Sequence, residues 1–162
     1  MHVCRIDRTP QTEAHIKPEN VATTTGVQHP LIAMAHFPKP KLKSPHTFVL
    51  EALASLNPEV RRMFSGFAVY IGDRLVFMLR DHTKYPEDNG VWLVLSEDVD
   101  PADVSLRRDF PSIRAIRMLG SKINHWLLIP SDSADFEKEA LDACELIRVR
   151  DPRLGRILQS RR

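Results

Sequence analysis

The most regular hydrophobic pattern in the chain lies between residues 62 and 80, where the apolar runs 66–71 and 74–79 flank the pair Gly72-Asp73. A two-residue loop with glycine first is typical of a type II′ turn, whose twist matches that of antiparallel strands. The two runs therefore predict a β-hairpin. Both of its faces are apolar, so we expect further strands and helices to cover it, because a two-stranded hairpin is only marginally stable alone.

Helices are predicted on both sides of this hairpin, from cap-plus-proline starts and from apolar residues at three- and four-residue spacing. The first covers residues 44–57, where Asn57-Pro58 ends it. A short helix follows over 100–108, a long one after the segment PSDSADF, and a last one over 151–159.

Three more strands are predicted, from aromatic and β-branched runs. Residues 91–96 form one, and residues 113–119 and 124–129 form a second hairpin across the segment Gly-Ser-Lys-Ile. The element order is then α-β-β-β-α-β-β-α-α. Short loops between consecutive strands imply an antiparallel sheet of about five strands with helices packed on it, which is an α+β domain.

Residues 1–43 contain five prolines and show no lasting period of 3.6 or 2. This composition predicts a flexible, disordered extension, followed by one domain over 44–162. An alternative hypothesis is that translation starts at Met34, which would leave the first 33 residues outside the protein.

The run from residue 53 to residue 79, LASLNPEVRRMFSGFAVYIGDRLVFML, resembles the opening of TfoX N-terminal domains. Those domains show a helix, a proline, a turn like Arg-Met-Phe-Gly-Gly-Tyr-Gly and then a hairpin. Here the turn reads RMFSGFA, with Ser65 and Ala68 at two of the glycine positions.

The second half, residues 106–147, is more similar to YjbR-type proteins. The points of likeness are Phe110-Pro111, the strand-turn-strand ending Asn-His-Trp at Trp126, and the helix that contains ACELI. The two families are similar in fold, and the resemblance implies an antiparallel sheet flanked by helices. TfoX proteins are competence regulators and YjbR-type domains have been suggested to bind DNA. The resemblance brings no catalytic residues and no cofactor.

Composition and charge exclude some classes of protein. The net charge of +2, from 23 basic and 21 acidic residues, is too small to imply a nucleic-acid partner by itself. Residues 148–162, however, carry six arginines and one acid, which fits either a phosphate-binding arm or a helix with cations at its C-terminal end. No apolar run approaches the roughly 20 residues that cross a bilayer, and the N-terminus lacks a signal-peptide core. A cytoplasmic protein without a membrane partner is expected.

The two cysteines, Cys4 and Cys144, lie far apart and match no metal or redox spacing. Cys144 falls among apolar positions of the long helix, so we expect a buried, inert thiol. No disulfide between the two is predicted.

A basic set near the second hairpin is the first candidate site. On strands and turns its cations could contact phosphates, with an aromatic residue stacking on a base. Solvated surface arginines are the alternative, and Arg114 and Arg117 would face opposite sides of a strand because their spacing is odd. Trp126 precedes an apolar run and is expected in the core. The candidate nucleic-acid-binding residues are Arg107, Arg108, Arg114, Arg117, Lys122 and His125.

The polar loop DHTKYPEDNG is the second candidate site, for acid–base chemistry or a small ligand. It has no recognised metal-ligand spacing, and polar loops of this kind usually serve as turns. Walker A, Rossmann, HExxH, paired CxxC and Gly-x-Ser-x-Gly patterns are absent, so no catalytic residue, metal or cofactor is predicted. The candidate ligand-loop residues are Asp81, His82, Lys84, Tyr85, Asp88 and Asn89.

The sequence therefore predicts a non-enzymatic module that binds DNA or a regulatory protein through the basic second hairpin. A small-ligand protein or orphan enzyme using the polar loop is the first alternative. A protein–protein interaction module is the second, and a large exposed apolar patch would be its sign.

Overall fold

The computed structural model describes residues 43–122 and 125–158, with the backbone alone at residues 121 and 122. Over these residues the chain is α+β, with an open antiparallel sheet and helices packed on it. Residues 1–42, which include most of the predicted extension and both Met34 and Cys4, lie outside the described residues.

The sheet has the strand order β1-β2-β3-β4-β6-β5, and β7 pairs with the first two residues of β3. The helices are α1 Thr47–Ala52, α2 Val104–Asp109 and α3 Phe136–Arg148. The strands are β1 Glu59–Met63, β2 Gly66–Ile71, β3 Arg74–Arg80, β4 Gly90–Val94, β5 Arg114–Ala115, β6 Trp126–Pro130 and β7 Arg156–Ile157. Short 3₁₀ segments are found at Ala54–Leu56, Pro86–Asp88 and Arg117–Lys122.

The first predicted hairpin is confirmed as β2 and β3, which pair across the two-residue loop with Ile71 opposite Arg74. Gly72 has a φ of +62°, whereas Asp73 is not in the positive-φ region. A single positive φ at the first loop position fits the type II′ turn expected from glycine first. The third predicted strand is confirmed as β4, and the long helix as α3.

The predicted elements are wrong at three places: before the first hairpin, in the first strand of the second predicted hairpin, and in the C-terminal segment. Residues 59–63, where no strand is predicted, form the edge strand β1, whose side chains are mostly charged and exposed and therefore lack the apolar alternation of a half-buried strand. The strand expected over 113–119 is limited to β5, because the next segment turns into a 3₁₀ helix. With β1 and the C-terminal strand β7, the sheet has seven strands rather than about five.

The helix expected over 151–159 is absent from the described residues up to 158. The Asp151 carboxylate accepts a hydrogen bond from the backbone N–H of Arg153 at 2.9 Å, which forms a local turn. The backbone then joins the sheet: Gly155 N donates to Val94 O at 2.7 Å, and β7 pairs with β3. Gly155 has a φ of +87°, a value that no residue inside an α-helix adopts.

The predicted helix starts were also displaced. α1 begins after His46 rather than at Ser44, and no side chain caps it. α2 begins after Asp103, whose carboxylate accepts from the backbone N–H of Ser105 at 2.7 Å, rather than after Asp100. Local capping geometry therefore decided between several aspartates that the sequence offered equally.

The two faces of the sheet bury different cores. On one face, alternate residues such as Phe77 and Leu93 pack against all three α-helices. On the other, Met78, Trp92 and Leu128 pack against Ile116, next to the 3₁₀ segment 117–122. The expected core position of Trp126 is confirmed in part: its half-buried ring packs edge-on against Trp92, with 6.1 Å between ring centroids.

The Cys144 thiol is buried in the helix-side core, as expected from its position in the stripe of α3. Burial raises its pKa to about 12, so the thiol stays protonated and unreactive at neutral pH. Among the described helices, none is both long and apolar enough to cross a membrane.

Candidate functional site around Arg80

A buried arginine organises one end of the sheet. Arg80, the last residue of β3, is 1% exposed. Its Nε donates to Ser65 Oγ at 3.1 Å, and its Nη1 donates to Tyr85 O at 2.9 Å and to Asn89 Oδ1 at 2.7 Å. Its Nη2 donates to Lys84 O. All four acceptors are uncharged, so this guanidinium stays inside the protein through hydrogen bonds rather than through an ion pair.

The same residue also fixes the start of α1. The carbonyl oxygen of Arg80 lies 3.1 Å from His46 Nε2, within hydrogen-bond distance. Arg80 thereby joins the end of β3 and the polar loop that follows it to two segments more distant in sequence, the N-terminus of α1 and the β1–β2 turn.

Three non-glycine residues around Arg80 have left-handed backbone conformations. His46 and Tyr85 bond to Arg80, and Phe64 precedes Ser65, which also does. The φ angles are +54° at His46, +52° at Phe64 and +57° at Tyr85. Such conformations cost about 1–3 kcal/mol each and persist only where the surrounding structure imposes them. The Arg80 hydrogen bonds to Ser65 and to the carbonyl of Tyr85 supply that restraint.

Two of these strained residues are aromatic and face solvent. Phe64 is 83% exposed and Tyr85 is 43% exposed. The Lys84 ammonium lies 5.4 Å from the centroid of the Tyr85 ring. We call Phe64, Lys84 and Tyr85 the aromatic end of the sheet. Neither ring contributes to a core cluster, so core packing does not account for either one.

The polar loop predicted as a ligand site uses much of its hydrogen-bonding capacity internally. The Asn89 side chain accepts from His82 N at 2.9 Å and donates to His82 O at 3.0 Å and to Asp81 Oδ1 at 3.4 Å. The backbone N–H of Lys84 donates to His82 Nδ1 at 3.0 Å. The side chains of Asp81, His82, Lys84 and Tyr85 are exposed, and no group of metal ligands forms among the described residues.

Asp88, a sixth residue of the predicted ligand loop, is an internal anchor. Its side chain is 0% exposed, and its two oxygens accept the backbone N–H groups of Arg117 and Met118 at 2.9 Å each. Its own carbonyl accepts from Trp92 Nε1 at 2.7 Å. This carboxylate therefore holds the 3₁₀ segment 117–122 against the sheet and faces no solvent.

The predicted basic set is divided between the two faces of the sheet. Arg107 and Arg108 lie exposed on α2, whose Leu106 packs into the helix-side core. Arg117 lies between Ile116 and Met118, which pack on the opposite face. The structure therefore does not bring these arginines together on one surface.

Several members of the basic set have acidic or carbonyl partners. Arg114 Nη2 donates to Glu87 O at 2.6 Å and to Asp132 Oδ2 at 3.1 Å. Arg117 Nη1 lies 3.9 Å from a Glu87 oxygen. The Lys122 side chain lies outside the described residues. His125 is half-buried, and its Nδ1 has no hydrogen-bond partner in the described part of the chain.

A second charged cluster lies where the C-terminal segment meets α2. Arg153 is bidentate to Asp151, with distances of 3.0 and 2.9 Å, and its Nη1 lies 2.9 Å from Asp109 Oδ2. The hydrogen bonds from Arg153 lower the pKa of the Asp151 carboxyl. A depressed pKa adds stability above the unfolded-state pKa of about 3.9, and that stability is lost as the pH falls through the folded-state value.

We therefore expect Asp151→Asn to destabilise the protein by about 1–2 kcal/mol at pH 7, since a charge-assisted pair is lost. The difference from the native protein should persist down to about pH 5 and shrink as the pH falls below about 4. Urea unfolding at several pH values between about 2.5 and 7 measures it. Asp98→Asn, at an exposed carboxylate, is the matched control. A difference that stays constant with pH would contradict this assignment.

The chain has no match to a protein-family model, and searches of the curated proteins and of the solved structures find no match either.

Proposed function

We propose that this chain is a non-enzymatic, cytoplasmic binding module that takes single-stranded nucleic acid at the aromatic end of its sheet. The observation that supports this most is the pair Phe64 and Tyr85, two exposed aromatic residues in strained backbone conformations. The buried Arg80 donates hydrogen bonds to the carbonyl of Tyr85 and to the side chain of Ser65, the residue that follows Phe64.

Energetics favour a binding role for this pair. An exposed phenylalanine in a left-handed conformation stabilises neither the core nor the turn, and glycine at that position would avoid the strain. Strained, exposed side chains held by a rigid support concentrate at binding sites. Stacking of a base on an aromatic ring contributes about 1–3 kcal/mol and tolerates any sequence.

The charges next to the rings suit a short, flexible polyanion. Lys84 lies beside the Tyr85 ring, and the exposed Arg62 lies two residues before Phe64. Proteins that bind single strands without sequence preference contact the phosphates with cationic side chains and stack the bases on aromatic ones. The net charge of only +2 does not favour a long duplex footprint. The resemblance to TfoX and YjbR-type proteins, itself a proposal, points to the same class of partner.

Fluorescence anisotropy of labelled single-stranded DNA, single-stranded RNA and duplex DNA with the full chain tests the proposal. Phe64→Gly and Tyr85→Asn each remove an aromatic ring. Glycine and asparagine both adopt left-handed backbone conformations readily, so neither change should disturb the backbone. Each change should weaken single-strand binding by roughly tenfold, because one stacking contact is lost. Lys84→Gln should reduce the slope of log affinity against log salt by about 0.7.

Two controls separate this surface from others. Val149→Ala shortens another exposed apolar side chain and should leave affinity unchanged. The double change Arg107→Gln and Arg117→Gln removes two members of the predicted basic set; a larger loss from it than from Phe64→Gly would move the interface to those arginines. If none of the three nucleic acids binds even at low salt, the nucleic-acid proposal is wrong, and a protein partner for the exposed rings is the next hypothesis to test.

A further inference from the structure

A cleft lies at a different place from the aromatic end, where the C-terminal segment crosses the sheet. It is a cavity of about 690 Å³ between the β2–β3 turn, the loop after β4, the end of α3 and residues 154–157. A smaller cavity of about 440 Å³ is also lined by Arg74, Ser96, Asp98 and Arg150. Cavities of roughly 300–1,000 Å³ are the usual size for small-molecule sites.

Arg74 places a half-buried positive charge in this cleft. Its side chain is half-buried, and it makes no hydrogen bond or ion pair within the described part of the chain. The backbone beneath it is Gly155, where a Cβ atom would come within 2.7 Å of Arg74 Nε. Glycine at that position, with its φ of +87°, leaves the room in which the guanidinium lies.

Arg150 is a second cation whose side chain has no partner among the described residues. It lines both cavities, and it too makes no hydrogen bond or ion pair through its side chain within the described residues. The neighbouring arginines differ: Arg153 is held by Asp151, and Arg156 lies 2.7 Å from a Glu97 oxygen. Acids in this region neutralise two arginines and leave the other two available to a ligand.

We propose that this cleft binds a compact organic anion, with a carboxylate or phosphate group on Arg74 and Arg150 and an apolar part on the cleft wall. That wall contains Ile71, Val76, Ile147 and Leu154. Guanidinium groups are suited to both anionic groups because they donate two parallel hydrogen bonds. The exposed carboxylates of Asp73 and Asp98 also line the cleft and select against extended polyanions by like-charge repulsion.

Titration of the ¹⁵N-labelled full chain with three probes, followed by amide resonances, tests this site. Benzoate carries a carboxylate and phenyl phosphate carries a phosphate, each on a phenyl ring. Benzylammonium carries a positive charge on the same ring and is the control. We expect saturable shifts at Gly72, Ser96 and Gly155 with at least one anionic probe and none with benzylammonium. Which anion binds more tightly identifies the preferred group.

Arg74→Gln should weaken binding of that probe by roughly tenfold or more, as expected when a charge-assisted hydrogen bond is lost, and Arg150→Gln should act in the same direction. Arg107→Gln, at an exposed arginine on α2, should have no effect. The amide spectra report at once whether each variant keeps its fold. The site is refuted if neither anion gives saturable shifts at the cleft, if benzylammonium binds equally well, or if Arg74→Gln binds as the native protein does.

Discussion

Replacing Arg80 with methionine is expected to lower the free energy of unfolding by about 3–5 kcal/mol. The guanidinium satisfies four oxygens, on Ser65, Lys84, Tyr85 and Asn89. Methionine fills similar space but donates nothing, and each buried acceptor left unpaired costs about 1–3 kcal/mol. The loop can recover part of this through water, which sets the upper limit. Chemical denaturation of the native and variant proteins measures the loss.

The same change should also abolish the left-handed conformations at Phe64 and Tyr85, because their restraint is lost. Single-strand affinity should therefore fall at least as far as in Phe64→Gly, although no contact residue has been altered. Arg107→Met is the matched control: this exposed arginine makes no side-chain hydrogen bond among the described residues, so its loss should change stability by less than about 0.5 kcal/mol. Equal stability changes for the two variants would show that Arg80 is not the organising residue.

The centre of the sheet could be predicted from the sequence because it depends on local signals. Alternating apolar residues and a glycine-first turn specify β2 and β3, and the three- and four-residue spacing specifies α3. The edges could not be predicted in this way. β1 carries charged side chains, which protect an edge strand and conceal its periodicity.

The C-terminal segment shows why local signals fail. Asp151-Pro152 is a good helix start, but the aspartate is bound to Arg153 and the following backbone completes the sheet. The bonds of that backbone to β3 and to Val94 join residues far apart in sequence, and propensity scales describe only local preferences.

Only part of the candidate site could be predicted from the sequence, because the rest depends on contacts between distant residues. The sequence marks the polar loop as rich in functional groups, but it does not show that Arg80 supports the loop from within. An arginine at the end of an apolar strand is ordinarily expected to mark the point where that strand reaches solvent. The one usable signal was Phe64 before Ser65-Gly66, a large aromatic residue within a tight turn, where a left-handed conformation favours glycine or asparagine.

Asp88→Ala is the second change for which we expect a large effect, a loss of about 2–4 kcal/mol of stability. Its carboxylate accepts the N–H groups of Arg117 and Met118 inside the protein, and alanine leaves both donors unpaired. Asp88→Asn should cost less, because one amide oxygen can still accept one of the two bonds. Urea unfolding monitored by tryptophan fluorescence is the measurement, since Trp92 Nε1 donates to the Asp88 carbonyl.

The matched control for this change is Asp81→Ala, at an exposed aspartate of the same loop whose hydrogen bond to Asn89 is long, at 3.4 Å. Its loss should cost less than about 0.5 kcal/mol. If the two alanine variants are equally stable, the segment 117–122 does not depend on Asp88. If Asp88→Ala is the less stable, as we expect, a buried carboxylate and two backbone donors hold this edge of the fold together. Any ligand would then have to be bound by the exposed members of the loop, because Asp88 has no free oxygen to offer.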